Sequence, residues 1–297
     1  MNDIVILTDE RYVDPVEKNE YVNNALLEDE LVLSSMIKNG LKAKKVAWSD
    51  PNFNWRSTRY ALFRSTWDYT KQLDKFICWL DEASKQTTFI NAYGLVSYNL
   101  DKHYLNDLKR AGVHVVVSYF IEQGDTRTLK ALHEELGWAN TVLKPCISAS
   151  ARGTFQLTRD SLDPFESEYR RLVNKESMML QPFQRSVVER GEVSLMMIGG
   201  EYTHAVLKVA KQGDFRVQDD FGGTVHEYQP TEEEKELAIK AINACDEMPV
   251  YARVDLIKDN DGKVAVSELE LIEPEMWFRK QPEAARKLAD FIRSKFF

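Results

Sequence analysis

Two runs near the end of the chain concentrate residues able to do chemistry: Tyr251-Ala252-Arg253-Val254-Asp255-Leu256-Ile257, and Val264-Ala265-Val266-Ser267-Glu268-Leu269-Glu270-Leu271. Between them lies Lys258-Asp259-Asn260-Asp261-Gly262-Lys263, and Asp-Gly is a favoured two-residue hairpin turn. With Asp261-Gly262 at the tip, Asp255 faces Glu268 and Arg253 faces Glu270. Alternation along a strand then projects all four charged groups from one face and Ala252, Val254, Leu269 and Leu271 from the other. Three carboxylates on one face raise each other's pKa unless a cation sits among them. Magnesium takes hard oxygen ligands of this kind, completed by phosphate oxygens and water, which would leave Arg253 beside the phosphates. The alternative is a solvated amphipathic hairpin with Arg253 and Glu270 as an exposed cross-strand pair.

Other segments could serve a nucleotide. Lys102 and Lys144 are far apart in sequence, and each could meet a phosphate; the alternative is a solvated surface lysine, more natural for Lys102 on its charged helix than for Lys144 between Leu143 and Pro145. The small-residue stretch from Ile147 to Thr154, with Ser148, Ser150 and Gly153, could present backbone N–H groups to phosphate and close as a lid, or be a plain flexible connection. Met179-Leu180-Gln181-Pro182-Phe183 suits a hinge against which an adenine ring packs, its backbone reading the ring edge, or a core strand entering a turn. Lys208, Arg216 and Gly222-Gly223 belong to a basic, glycine-containing loop between strands, where Arg216 could take a substrate carboxylate in a bidentate grip.

The elements that would position these groups alternate. Ile4 to Thr8, Lys45 to Trp48, Tyr60 to Arg64 and Thr87 to Ile90 read as strands, with Asn24 to Lys38 and Asp74 to Ala83 as helices, which predicts a mostly parallel α/β sheet. No GxGxxG turn or Walker loop occurs in it. Arg64-Ser65-Thr66-Trp67-Asp68-Tyr69 falls where a strand ends, a position at which open α/β sheets bind ligands, or is a loop with a partly buried Trp. Asn99 to Arg110 reads as a polar helix, Val113 to Ile121 and Thr141 to Leu143 as strands, and Glu192 to Met197, Tyr202 to Val209 and Thr224 to Tyr228 as antiparallel strands. Thr231, three residues before Glu234, opens a helix with a capping box.

Composition narrows the class. The 297 residues are 43% hydrophobic, enough for two or three packed modules, and the net charge of −8 supplies no basic field for nucleic acid or an acidic membrane. Cys78, Cys146 and Cys245 form no CxxC pair. The opening Met1-Asn2-Asp3 lacks signal-peptide order and no apolar run has membrane-spanning length, so a cytoplasmic location is expected.

In order, Asn99-Leu100-Asp101-Lys102, Val142-Leu143-Lys144-Pro145, Leu180-Gln181-Pro182-Phe183, Gly191-Glu192-Val193-Ser194, Gly213-Asp214-Phe215-Arg216, Gly222-Gly223, Tyr251-Ala252-Arg253-Val254-Asp255 and Glu268-Leu269-Glu270 resemble the ATP-grasp superfamily, in its glutathione-synthetase-like and D-Ala–D-Ala-ligase-like branch. With Arg64 to Tyr69 included, the whole length resembles the D-cycloserine-synthetase-like group of these ligases. The resemblance implies an α/β fold, α+β in the ATP-grasp core: a Rossmann-like module over residues 1–98, then ATP-grasp subdomains over 99–182, with the lid, and 183–297, with the metal site. It implies an ADP-forming ligase that joins a small amino-acid-like carboxylate to an amine, or a thiol, through an acyl phosphate, with a cyclising ligase as one form. A phosphotransferase that stops at the acyl phosphate and a non-catalytic nucleotide-binding regulator are the alternatives.

Site roles also follow from the resemblance. Lys102 and Lys144 would contact ATP phosphates, the Gln181 region adenine and Glu192 ribose. Asp255, Glu268 and Glu270 would hold two magnesium ions, or manganese, and Arg253 would stabilise the transferring phosphoryl group. Many members carry Glu-x-Asn where this chain has Glu268-Leu269-Glu270. A third carboxylate strengthens divalent-ion binding but repels the triphosphate, so Arg253 and the lysines carry more of the work.

Overall fold

The computed structural model describes residues 1–16, 18–149, 151–217 and 222–297. The first module runs β1 (Asn2–Thr8), α1 (Glu20–Lys38), β2 (Ala43–Ala47), β3 (Thr58–Ser65), α2 (Leu73–Ser84) and β4 (Thr88–Ile90). Its sheet is parallel throughout, in the order β2-β1-β3-β4. Alternation along β1 and β3 divides the apolar side chains between two faces: Ile4, Ile6 and Leu62 pack with Val32 and Met36 of α1, and Val5, Leu7 and Phe63 with Phe76 and Leu80 of α2.

After α3 (Tyr93–Asn99) and α4 (Tyr104–Arg110) come β5 (Tyr119–Ile121), α5 (Leu129–Leu136), β6 (Asn140–Pro145), β7 (Phe155–Thr158), α6 (Leu162–Lys175) and β8 (Met178–Pro182). These four strands form an antiparallel sheet ordered β5-β8-β6-β7. The chain then continues through α7 (Ser186–Glu189), β9 (Glu192–Ile198), β10 (Glu201–Val209), β11 (Thr224–Tyr228), α8 (Glu232–Asn243), β12 (Tyr251–Lys258), β13 (Val264–Glu270) and α9 (Pro282–Phe296). A second antiparallel sheet results, ordered β11-β10-β9-β12-β13. The Thr231 box is formed, with Thr231 N–H on Glu234 Oε2 at 2.8 Å and Glu234 N–H on Thr231 Oγ1 at 3.3 Å.

Two expected elements differ. The polar helix begins only at Tyr104, because Tyr93–Asn99 is a separate helix. Of the expected strand from Val113 to Ile121, only Tyr119–Ile121 joins a sheet, while Val115 and Val116 run beside Val266 and pair with it. The cores also cross the boundaries at 99 and 183. Leu105 and Leu108 of α4 pack on the five-stranded sheet, and α9 packs with Ile4, Ile6 and α1 of the first module. No helix among the described residues is long and apolar enough to cross a membrane.

His204 on β10 ties the tail after β13 to this sheet, its Nε2–H donating to the Met276 carbonyl at 2.8 Å. Burial pushes its pKa down to about 4 from 6.5, more than the Met276 hydrogen bond raises it. The unfolded chain therefore binds this proton first as pH falls. The contribution is intact above pH 6.5 and is lost on acidification to about 4, by about 3 kcal/mol in total. Urea midpoints of the native chain and His204→Gln across that window should converge toward the acid end; parallel curves would refute the assignment.

Candidate active site

The five-stranded sheet presents one polar face to the smaller antiparallel sheet, and the cleft between them is closed at one end by the first module through Tyr21, Trp67 and Tyr69. On that face β12 pairs with β13 so that Arg253 opposes Glu270 and Asp255 opposes Glu268, while Val254 and Leu269 point into the core beneath. The expected pairing is present, but not through the expected turn. The tip is a three-residue loop: Asp259 N–H bonds Lys263 O, and Gly262, left-handed at φ +82°, bonds Asp259 O. That turn puts Leu256 opposite Val266, one residue off the expected register, and a β-bulge between Asp255 and Leu256 restores the pairing of the carboxylates. Ser267, at the bulge, turns its hydroxyl to Glu192 Oε2 at 2.9 Å.

Asp255 is the most heavily bonded of the carboxylates. Arg253 Nε and Nη2 donate to its two oxygens at 2.9 and 2.8 Å, Ser194 Oγ donates at 2.5 Å and Lys208 Nζ lies at 3.2 Å. Burial alone would raise its pKa, but Arg253, Lys208 and these hydrogen bonds hold it well below the usual range. Glu268 is likewise lowered, burial being outweighed by Lys102, at 3.1 Å, and Lys144. Glu270, bonded to Arg253 Nη2, goes the other way: burial, reinforced by Glu268 and Asp255, pushes it up to about 8. Ligand oxygens of the three lie within 4.8 Å of one another. An all-oxygen donor set in which one carboxyl resists ionisation although Arg253 is bonded to it fits a divalent cation.

Lys102, Lys144, Ser148, Gln181, Phe183, Glu192, Lys208, Arg216, Arg253, Asp255, Glu268 and Glu270 all line the cleft. Lys102 Nζ donates to Ser148 O at 2.7 Å, which ties it to the loop after β6. Lys144 projects from within β6, and its ammonium has neither hydrogen bond nor ion pair among the described residues; burial lowers its pKa. Ser148 Oγ donates to Arg152 O at 2.9 Å, and Ser150 lies outside the described residues. Gln181 Nε2 donates to Ser118 Oγ at 2.8 Å.

Several expected residues are placed otherwise. Leu180 turns into the core of the small sheet with Ile121 and Leu143, because Gln181, its neighbour on the strand, takes the cleft side. The Phe183 amide is bonded to Asn140 O at 2.9 Å, so it does not face the cleft as a free edge donor. Gly153 turns the loop at φ +64° against Pro145 rather than lining the cleft, and Gly222 backs on Lys211, with Gly223 leading into edge strand β11. Arg216 closes on its own neighbour Asp214, at 3.0 and 2.7 Å, and Lys208 is buried between Glu192 at 2.5 Å and Asp255 on the sheet face.

Sequence reasoning reached Tyr69 only within the Arg64 to Tyr69 segment and did not assign Glu273 or Trp277, which also line the cleft, nor Asn99, whose side chain holds the outer edge of β13. Asn99 Nδ2 donates to Leu269 O at 2.8 Å and its Oδ1 accepts from Leu271 N–H at 2.7 Å, as a further strand would. Leu269 and Leu271 flank Glu270, so this amide fixes the edge from which two carboxylates project. Asn99→Ala should cost about 2 kcal/mol or more, leaving both backbone groups without partners, and should raise the magnesium concentration for half-maximal activity several-fold. Magnesium titration alongside thermal melting checks both. Asn99 stood within Asn-Leu-Asp-Lys, but only its lysine announced itself by charge.

Residues 112–275, more than half of the chain, match the RimK-like ATP-grasp domain. The chain belongs to the RimK-like ATP-grasp family. Residues 4–91 match the N-terminal domain of D-cycloserine synthetase. A cycloserine biosynthesis protein of Streptomyces lavendulae is 28% identical over 277 residues, covering 86% of this chain and 89% of that one. The crystal structure of D-cycloserine synthetase superposes with a TM-score of 0.85 at 25% identity, covering 98% and 99% of the two chains. The ATP complex of D-alanine–D-alanine ligase from Bacillus anthracis, at 16% identity and a TM-score of 0.65 over 99% and 97%, shares the fold. As an ATP-grasp enzyme of this kind, the protein is an ATP- and magnesium-dependent ligase that forms C–N or similar bonds through acyl-phosphate chemistry.

Proposed function

We propose that this ligase activates the carboxylate of a small amino-acid-like substrate and closes it on a nucleophile within the same molecule, a reading supported by its likeness to a protein named D-cycloserine synthetase. The observation that carries the reading is the convergence of Lys102, Lys144, Arg253, Asp255, Glu268 and Glu270 on one cleft that Trp67 and Tyr69 of the first module also line. Asp255, Glu268 and Glu270 hold two magnesium ions, which supply charge neutralisation for the triphosphate. Gln181 and Phe183 flank adenine, and Glu192 takes ribose. Lys102 and Lys144 bind phosphate oxygens, and Ser148 and Gly153 belong to the loop that covers them.

A substrate carboxylate oxygen attacks the γ-phosphorus and the bond to ADP breaks, giving an acyl phosphate. The nucleophile then attacks the carbonyl carbon, loses its proton and expels phosphate. Arg253, held by Asp255 and Glu270, points a fixed guanidinium at charge that spreads over the phosphoryl oxygens, and Lys144 meets the same charge from across the cleft. The closed cleft keeps water from the acyl phosphate. The test is ADP release with magnesium and ATP over a panel of amino acids, short peptides and D-serine derivatives, with mass analysis of products. A product one water lighter than a single substrate supports ring closure; a product joining two molecules would replace it with an intermolecular ligase.

A further inference from the structure

At the end of the cleft against the first module is a carboxyl group with no ion-pair partner among the described residues; Lys102 and Arg253 act on it only from farther off. Glu273 is 8% exposed and lines the cleft, as Tyr69 does, and it makes no ion pair among the described residues. Two other buried carboxylates nearby have a cation, Asp29 with Lys45 at 3.7 Å and Glu28 with Arg279 at 3.1 Å, and a third, Asp68, has two neutral donors, the indole of Trp48 at 2.8 Å and the amide of Gln72 at 3.0 Å.

Glu273 is held in this position by its backbone. The Trp67 indole N–H donates to Glu273 O at 3.0 Å and Arg64 Nη2 to Pro274 O at 3.1 Å, so the first module fixes the segment that carries it. Trp67 and Tyr21, with ring centroids 6.0 Å apart, form an aromatic wall at the same end. Burial, with nothing positive bonded to it, raises the Glu273 carboxyl to about 7. A largely buried acid, anchored through its backbone and without an ion pair beside aromatic faces, is complementary to a ligand that brings a positive charge.

We propose that Glu273, with Tyr69 beside it and Trp67 as wall, is the seat for a primary ammonium group on the substrate that is activated at its carboxylate. This rests on the ligase reading above and extends it. An ammonium bonded to a carboxylate keeps its proton and has no lone pair to attack with. The group seated here is therefore a handle that orients the substrate, and the nucleophile that closes on the acyl phosphate is a different atom of that substrate.

The test uses the full chain with magnesium and a non-hydrolysable ATP analogue, reading tryptophan fluorescence, since Trp67 lines the seat. Paired probes differ only in the ammonium: serine against glycerate and alanine against lactate, both enantiomers of each. The native chain should bind the better amine at least about tenfold more tightly than its hydroxy partner. Glu273→Gln should remove the preference while its melting temperature holds or rises, because an unpaired buried acid is relieved; a purely structural glutamate would lower it. Glu273→Asp should keep part of the preference. Equal binding of each pair, no binding of any amine by the native chain, or a preference that survives in Glu273→Gln would overturn the proposal. If the native chain fails to bind the nucleotide analogue, it is the ligase reading that falls.

Discussion

Glu268→Gln should reduce ADP formation by at least about 10²-fold while leaving the melting temperature nearly unchanged. Glu268 is the carboxylate of the three that faces both lysines across the cleft, with Lys102 Nζ at 3.1 Å and Lys144 close enough to help keep it ionised. The amide keeps the shape and one acceptor oxygen but removes the charge that attracts a divalent cation. Folding depends on it little, because Lys102 retains its bond to Ser148 O and, among the described residues, the Glu268 side chain has no hydrogen-bond or ion-pair partner besides Lys102. Asp255→Asn would be a poorer probe: it would leave Arg253 and Lys208 without the partner they share, at a cost of about 3–5 kcal/mol, and mix unfolding with lost activity. Steady-state ADP release and isothermal titration of magnesium decide the matter. Normal turnover in Glu268→Gln would remove the metal assignment from this face.

Lys144→Met should show opposite signs in its two readouts: turnover lower by about 10²-fold or more, stability unchanged or higher. The lysine is a half-buried ammonium on the cleft with no hydrogen bond or ion pair among the described residues, and burial lowers its pKa despite the attraction of Glu268. Such a group destabilises the unliganded protein and is repaid when a phosphate oxygen arrives. Methionine has nearly the same volume and no charge to bury. Urea denaturation of the unliganded variant should therefore give a midpoint no lower than native, while the KM for ATP rises or kcat falls. A clear loss of stability would make Lys144 a structural residue, and undiminished turnover would take it out of phosphoryl transfer.

The active face was legible because strand alternation is a local rule. Arg253, Asp255, Glu268 and Glu270 had to share a side, and Ala252, Val254, Leu269 and Leu271 the other, whatever the rest of the chain did. The turn was misread, since a Gly262 in the left-handed region serves a three-residue loop as readily as a two-residue one. The bulge beside Asp255 then compensated for the one-residue slip, so the right pairing was reached through a register that the hairpin does not have throughout. Leu180 shows the same rule from its other side: the hinge segment was found, but which of its residues faces the nucleotide depends on the sheet that β5, β6 and β7 build around β8.

By itself the sequence determined what local periodicity and residue chemistry can determine: the alternating α/β module, the carboxylate-bearing hairpin, the capped helix after it, and the ordered lysine, hinge and carboxylate segments that carry the ATP-grasp resemblance. The tertiary structure alone decided which groups are paired and which are left facing the cleft. Arg216 is folded onto Asp214, Lys208 is spent between Glu192 and Asp255, and Lys144 and Glu273 remain without an opposite charge bonded to them. Asn99 acts on strand edges 170 and 172 residues away, and Trp67 fixes Glu273 across 206. Periodicity reports the side of an element on which a residue lies; the partner it meets there is set by contacts between distant segments, which exist only once the three sheets have packed.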